Sequence, residues 1–122
     1  VPITPVVIFC EADGSAPFLT WFTALARKAQ DKCTVRIERL RELGHELRRP
    51  EADFLRDGIY ELRAKHGNLN YRILYFFHGR EAVVLSHGIV KQQAEVPARE
   101  IELAVRRKAQ FLARPERHTH TE

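Results

Sequence analysis

The chain has 122 residues, 44% of them apolar, with seven Phe, three Tyr and one Trp, and it carries 20 Lys and Arg against 16 Asp and Glu for a formal charge of +4. That length suits one domain and that apolar bulk builds a core unaided, which excludes two independent domains and an intrinsically disordered chain. The positive excess favours polyanionic partners without choosing among nucleic acid, membrane surface and acidic protein.

Residues 6 to 11 form a β-branched and aromatic run that reads as a strand, closed by the turn dipeptide Asp13-Gly14. Ser15 and Pro17 mark a helix start, and Phe18, Phe22, Leu25 and Ala29 recur at helical spacing, with Leu19 and Trp21 widening the stripe. Asp31 is expected to cap a second helix with Cys33, Ile37 and Leu40 on one side, which Gly44 ends, so that the two helices form a hairpin. Residues 45 to 57 are polar apart from Leu47, Phe54 and Leu55, contain Pro50, and are expected as a partly ordered connection to the sheet.

Three strands follow, over residues 59–64, 71–78 and 82–90, and the short Gly-containing links between them imply antiparallel hairpins. Pro97 opens a last helix with Ile101, Ala104, Val105, Lys108 and Leu112 near one face. The order predicts a single α+β domain over residues 1–114: a mostly antiparallel sheet of the N-terminal strand plus a three-strand meander, with a helical hairpin and a C-terminal helix against one side. Residues 115–122 lack periodicity and are expected to form a disordered tail.

Cys10 and Cys33 fall on a strand and a helix of a chain that needs no staple, so both are read as reduced and the protein as cytoplasmic. No apolar stretch approaches the roughly 20 residues of a membrane span, and the first residues lack a basic segment followed by an apolar one, so no secretory signal is expected. His118 and His120 lack carboxylate or thiol partners, so no metal site is expected. No Gly-rich phosphate loop, Cys-x-x-Cys, His-Glu-x-x-His or Gly-x-Ser-x-Gly occurs, so no cofactor is expected either.

Alternation along residues 59–65 sets Tyr60, Leu62 and Ala64 on one face and Ile59, Glu61, Arg63 and Lys65 on the other, which is polar and mostly basic. On the next strand Arg72 stands in an apolar run and needs a partner. One reading is an ion pair with Glu61 across neighbouring strands. The other is a phosphate cradle, in which the planar donor forks of Arg63 and Arg72 bracket one phosphate group. His87, between Ser86 and Gly88, is suited to proton transfer near neutral pH, and equally to a core position, because Leu85 and Ile89 share its parity. Lys91 follows it by four residues on the same parity.

Three ordered blocks carry a resemblance: Leu55-Arg56-Asp57-Gly58-Ile59-Tyr60-Glu61-Leu62-Arg63, Tyr71-Arg72-Ile73-Leu74-Tyr75, and Leu85-Ser86-His87-Gly88 with Lys91 and Pro97. Together they resemble the RelE/ParE superfamily of toxins, in its HigB-like, phage-derived branch, from Leu55 to about Lys108; residues 1–54 agree only in pattern. The chain departs from that pattern at Ile89, where Phe is usual, at Gln92, where a second Lys is usual, and at Val96, where a helix-capping Thr is usual.

The resemblance implies a RelE-like fold and the toxin component of a type II toxin–antitoxin system, a metal-independent endoribonuclease that cleaves mRNA, often on the ribosome. It implies a cognate helix-turn-helix antitoxin as partner. Carried onto this chain, it assigns Arg63 and Arg72 to the phosphate, His87 to proton transfer and Lys91 to charge stabilisation, with Lys65, Arg63, Arg72 and Lys91 binding RNA. Two other functions fit the same fold: a ParE-like inhibitor of DNA gyrase, and a non-catalytic phage accessory protein that only binds RNA or a partner.

Overall fold

A computed structural model describes residues 3–92 and 95–121; Glu122, the last residue of the expected tail, lies outside them. The elements run β1 (Val6–Ile8), α1 (Pro17–Thr23), α2 (Arg27–Leu43), β2 (Ala52–Arg56), β3 (Ile59–His66), β4 (Leu69–His78), β5 (Ala82–Lys91) and α3 (Ala98–Ala113). One five-stranded sheet has the order β1-β5-β4-β3-β2. β2 to β5 form an antiparallel meander, and β1 joins β5 in parallel, as expected of a chain that must cross over through α1 and α2 before returning.

The meander has one strand more than expected. Residues 52–56, read as part of a connection, pair with β3 through the main chain. Asp57 and Gly58 join the two strands at φ of 53° and 78°, the left-handed pair of a two-residue hairpin turn. The dipeptide carried that signal, but the strand before it has no buried stripe to announce it: Phe54 is exposed and Asp53 is polar.

The helical hairpin breaks earlier than its apolar spacing suggests. α1 ends at Thr23, and Asp31, expected as a cap, lies inside α2 and pairs with Arg27 at its exposed surface. No side chain caps α2, whose N-cap is Ala26, so nothing in the local sequence marks the start. The Phe22 carbonyl at the break accepts hydrogen bonds from the Leu25 N–H at 3.1 Å and from Gln30 Nε2 at 2.9 Å. Gly44 does end α2, at φ +53°.

Helices cover both faces of the sheet, not one. Phe18, Ala29, Cys33 and Leu40 pack on Leu62, Ala64, Tyr71, Ile73 and Leu85. Ile101, Ala104 and Phe111 of α3 pack on Ile59, Leu74, Phe76 and Val84 from the other side. The buried stripe of α3 is Ile101, Ala104, Arg107 and Phe111, whereas Leu112 is exposed. Strands with apolar residues at both parities need a layer on each side, which is why one chain builds two small cores.

The C-terminal segment is ordered as far as the description reaches. Pro115–Arg117 forms a 3-10 turn, the His120 N–H donates to the Ile8 carbonyl, and the His118 ring stacks on Phe9 with 5.1 Å between centroids. It thereby pairs with the C-terminal end of β1, which would otherwise expose unpaired backbone there. Cys10 and Cys33 are both buried and free. Among the described residues no helix is long and apolar enough to cross a membrane.

Candidate functional site

Sheet register decides which side chains meet. Arg63 stands directly opposite Arg72, and Arg72 opposite Ile89; in the next row Lys65, Asn70 and Lys91 are aligned, and in the preceding row Glu61, Leu74 and His87. Neighbouring strands lie about 5 Å apart, so each row is a continuous ridge across three strands. His87 joins this face through a bulge: Tyr75 pairs with Leu85 but Leu74 pairs with His87, leaving Ser86 as the extra residue. Leu85 and His87 therefore share a parity but not a face. All five residues singled out from sequence, Arg63, Lys65, Arg72, His87 and Lys91, fall on the α3 side of the sheet.

Glu61 sits between the two arginines, with Arg72 Nε 3.3 Å from Oε1 and Arg63 Nε 3.8 Å from Oε2. The Arg72–Glu61 pair is buried on both sides, while Arg63 is partly exposed. The contact is ionic rather than a well-aligned hydrogen bond, since Arg72 Nε lacks a hydrogen-bond partner and only Nη1 donates, to the Tyr71 carbonyl at 3.2 Å. Burial pushes the Glu61 carboxyl up despite the nearby Arg72 and Arg63, and burial pushes Arg72 down despite Glu61. Desolvation thus outweighs attraction at both ends, the signature of a buried ion pair that costs more than it returns.

The ion-pair reading of Arg72 is therefore realised, and it leaves a second role open to the same cluster. One carboxylate faces two guanidiniums, and Lys65 and Lys91 beside them form no ion pair with any described carboxylate. A cleft of about 240 Å³ is lined by Arg36, Pro50, Arg63, Lys65, Asn70 and Arg72. Arg36 is held there by donating from Nε to the Arg63 carbonyl at 2.9 Å and from Nη1 to Glu51 at 3.0 Å. On the other side of Arg63 a cleft of about 280 Å³ mixes Arg49 with Asp53, Glu61 and Glu95 and is no place for an anion. The first cleft is where a phosphate is most strongly attracted.

His87 is buried, and both ring nitrogens are engaged: Nδ1 lies 2.8 Å from Ser86 Oγ and Nε2 lies 3.0 Å from Glu100 Oε1. A neutral ring satisfies both, with Nε2–H donating to the carboxylate and Nδ1 accepting from the hydroxyl; the tautomer follows from the partners. Burial lowers its pKa from 6.5, aided by Arg107 and opposed by Glu100. The unfolded chain therefore binds this proton more readily than the folded one, and stability falls as pH drops from about 6.5 through the depressed folded value. The melting temperature should decline over that window in the wild type and decline less in His87→Gln. An equal decline in both would place the linkage elsewhere; Glu51 and Asp53, lowered by Arg39 and Arg49, titrate only below the ordinary carboxylate range.

Three participants escaped the sequence reading. Glu100, the partner of His87, is the third residue after Pro97, a position that signals an acidic first helical turn but not which strand it meets. Trp21 lies on Gly88 and forms one wall of a groove of about 430 Å³ with Ile89, Val90, Lys91, Pro97, Arg99 and Glu100. Arg107, buried on α3, reaches Glu11 at 3.5 Å and lies over the Phe9 ring at 5.7 Å, a position its helical spacing did not separate from that of Lys108. Residues 20–109, from within α1 to near the end of α3, match the family model described as Phage derived protein Gp49-like (DUF891). No curated protein matches the sequence.

Proposed function

The chain belongs to the Gp49-like, phage-derived family, a RelE-like toxin–antitoxin family, and from that premise we propose that it is a HigB-like toxin that cleaves mRNA on the ribosome in the cytoplasm. The observation that carries this reading is the Arg63–Arg72 pair, directly opposed on adjacent strands and sharing one cleft with Lys65 and Asn70. Two guanidinium forks and an ammonium around a pocket of that size suit a single phosphodiester.

Cleavage requires that the ribose 2′-OH lose a proton and attack its own phosphate, that charge on the phosphorane oxygens be stabilised, and that the 5′-oxygen be protonated. Arg63 and Arg72 take the phosphate oxygens, Lys65 and Lys91 hold the strand, and His87 with its Glu100 partner handles the proton. These steps use only side chains of the chain. The partner is a helix-turn-helix antitoxin encoded beside it.

A second reading rests on His87, whose burial and fully engaged ring suit a protein that binds RNA without cutting it. Expression without a partner separates the possibilities. We expect growth arrest with truncated transcripts, relieved by co-expressing the neighbouring helix-turn-helix reading frame. Arrest with intact mRNA and broken DNA would instead identify a ParE-like gyrase inhibitor, and harmless accumulation of a folded, RNA-binding protein would identify the non-catalytic form.

A further inference from the structure

The RNA-cleaving reading leaves one difficulty: its proton-transfer histidine does not reach the surface. The His87 side chain is 8% exposed and lines neither the arginine cleft nor the groove beside it. Between it and solvent stands Glu100, 22% exposed, which receives the His87 Nε2–H on Oε1 and lines the 430 Å³ groove together with Lys91. Among the described residues the other carboxylate oxygen has only a loose contact, 3.7 Å from the exposed Arg99.

That groove and the arginine cleft draw wall residues from the neighbouring strands β5 and β4. Ile89 in its wall is opposite Arg72, and Lys91 is opposite Asn70, which lines the cleft. Those pairs stand on strands about 5 Å apart, less than the length of one nucleotide, a spacing that lets a phosphate seated on Arg63 and Arg72 carry its adjoining ribose over the groove. Resting on that reading, we infer that Glu100 is the catalytic base and that His87 is a positioning residue that holds its carboxylate.

In this scheme the free oxygen of Glu100 takes the proton from the ribose 2′-OH as the 2′-oxygen forms a bond to phosphorus. The bond from phosphorus to the 5′-oxygen breaks, and that oxygen takes a proton from the Lys91 ammonium. Glu100 then releases its proton to solvent and Lys91 recovers one. The products are a 2′,3′-cyclic phosphate and a 5′-hydroxyl, with no change of oxidation state. Ser86 completes the support by donating to Nδ1 of His87, which keeps the opposite ring N–H aimed at the carboxylate.

The test uses the full chain with a defined synthetic mRNA on ribosomes for cleavage, and the same RNA with 2′-O-methyl groups for binding. Glu100→Gln should lose about 100-fold or more of cleavage while its affinity for the methylated RNA stays within about threefold of wild type. Glu100→Asp, which keeps a carboxylate, should recover part of the rate. His87→Gln, whose amide can still donate to Glu100, should lower cleavage without weakening binding and remain faster than Glu100→Gln. Cleavage by Glu100→Gln at the wild-type rate overturns the assignment, as does a His87→Gln variant slower than Glu100→Gln. A folded Glu100→Gln that no longer binds the methylated RNA makes Glu100 a binding residue and also overturns it. If the wild type binds the methylated RNA but never cuts the unmodified mRNA on ribosomes, the nuclease reading itself falls, and the assignment with it.

Discussion

Arg72→Ala is expected to lower stability by about 3–5 kcal/mol, because it leaves Glu61 buried with only the longer contact from Arg63 to compensate its charge. For a small domain that is a large part of the total. The loss should depend on pH. A carboxyl pushed up in the folded state contributes stability below its unfolded pKa that is lost as pH rises through the folded value. Removing the guanidinium raises it further, so chemical denaturation from about pH 4 to about pH 7 should show Arg72→Ala falling increasingly behind the wild type. The double variant Glu61→Leu with Arg72→Leu removes both charges and should regain most of the stability, since apolar residues of similar volume commonly replace a buried pair at little cost.

The same double variant separates architecture from function. If Arg72 serves only Glu61, restoring the fold restores activity. If it holds a phosphate, as proposed, the restored fold binds RNA poorly and does not cleave it. A stable double variant with wild-type cleavage would remove Arg72 from the site, and an Arg72→Ala loss below about 1 kcal/mol would show that Arg63 or water takes over the carboxylate.

Gly88→Ala should be among the most damaging single-methyl additions to the sheet. A Cβ built there falls 2.2 Å from Trp21 Cε3 and within 2.4 Å of two further indole atoms, so the ring must leave its seat. Overpacking of this kind costs about 1–3 kcal/mol, and here it also opens the wall of the groove beside Glu100. In a Trp21→Leu background the added methyl has room, and its cost should largely vanish. Melting temperatures of the two single variants and the double give the coupling directly; additive losses would mean that the strain comes from the strand and not from the indole.

The face alternation of residues 59–65 was legible because pleated strands have a period of two and the apolar and basic residues obey it. That reading set Glu61, Arg63 and Lys65 together correctly, and the register then confirmed their side of the sheet. For His87 the same logic failed at one residue. A single extra position at Ser86 inverted the parity, and a bulge depends on the geometry of pairing with β4, which leaves no mark in local composition. The strand Ala52–Arg56 escaped for a related cause: an edge strand with one wet face owes its existence to main-chain pairing and not to a buried stripe.

What the sequence determined by itself is what local periodicity and residue chemistry can encode. That covers the α+β order, most of the strands, the basic face and the end of α2 at Gly44. Tertiary structure alone decided that α3 lies on the face opposite α1 and α2, that Arg72 pairs with Glu61, and that Glu100 stands between His87 and solvent. It also decided that the C-terminal segment pairs with the end of β1. Each of these is a meeting of residues on different elements, and the free energy that selects such a meeting comes from burial and charge desolvation, which exist only once the elements have come together.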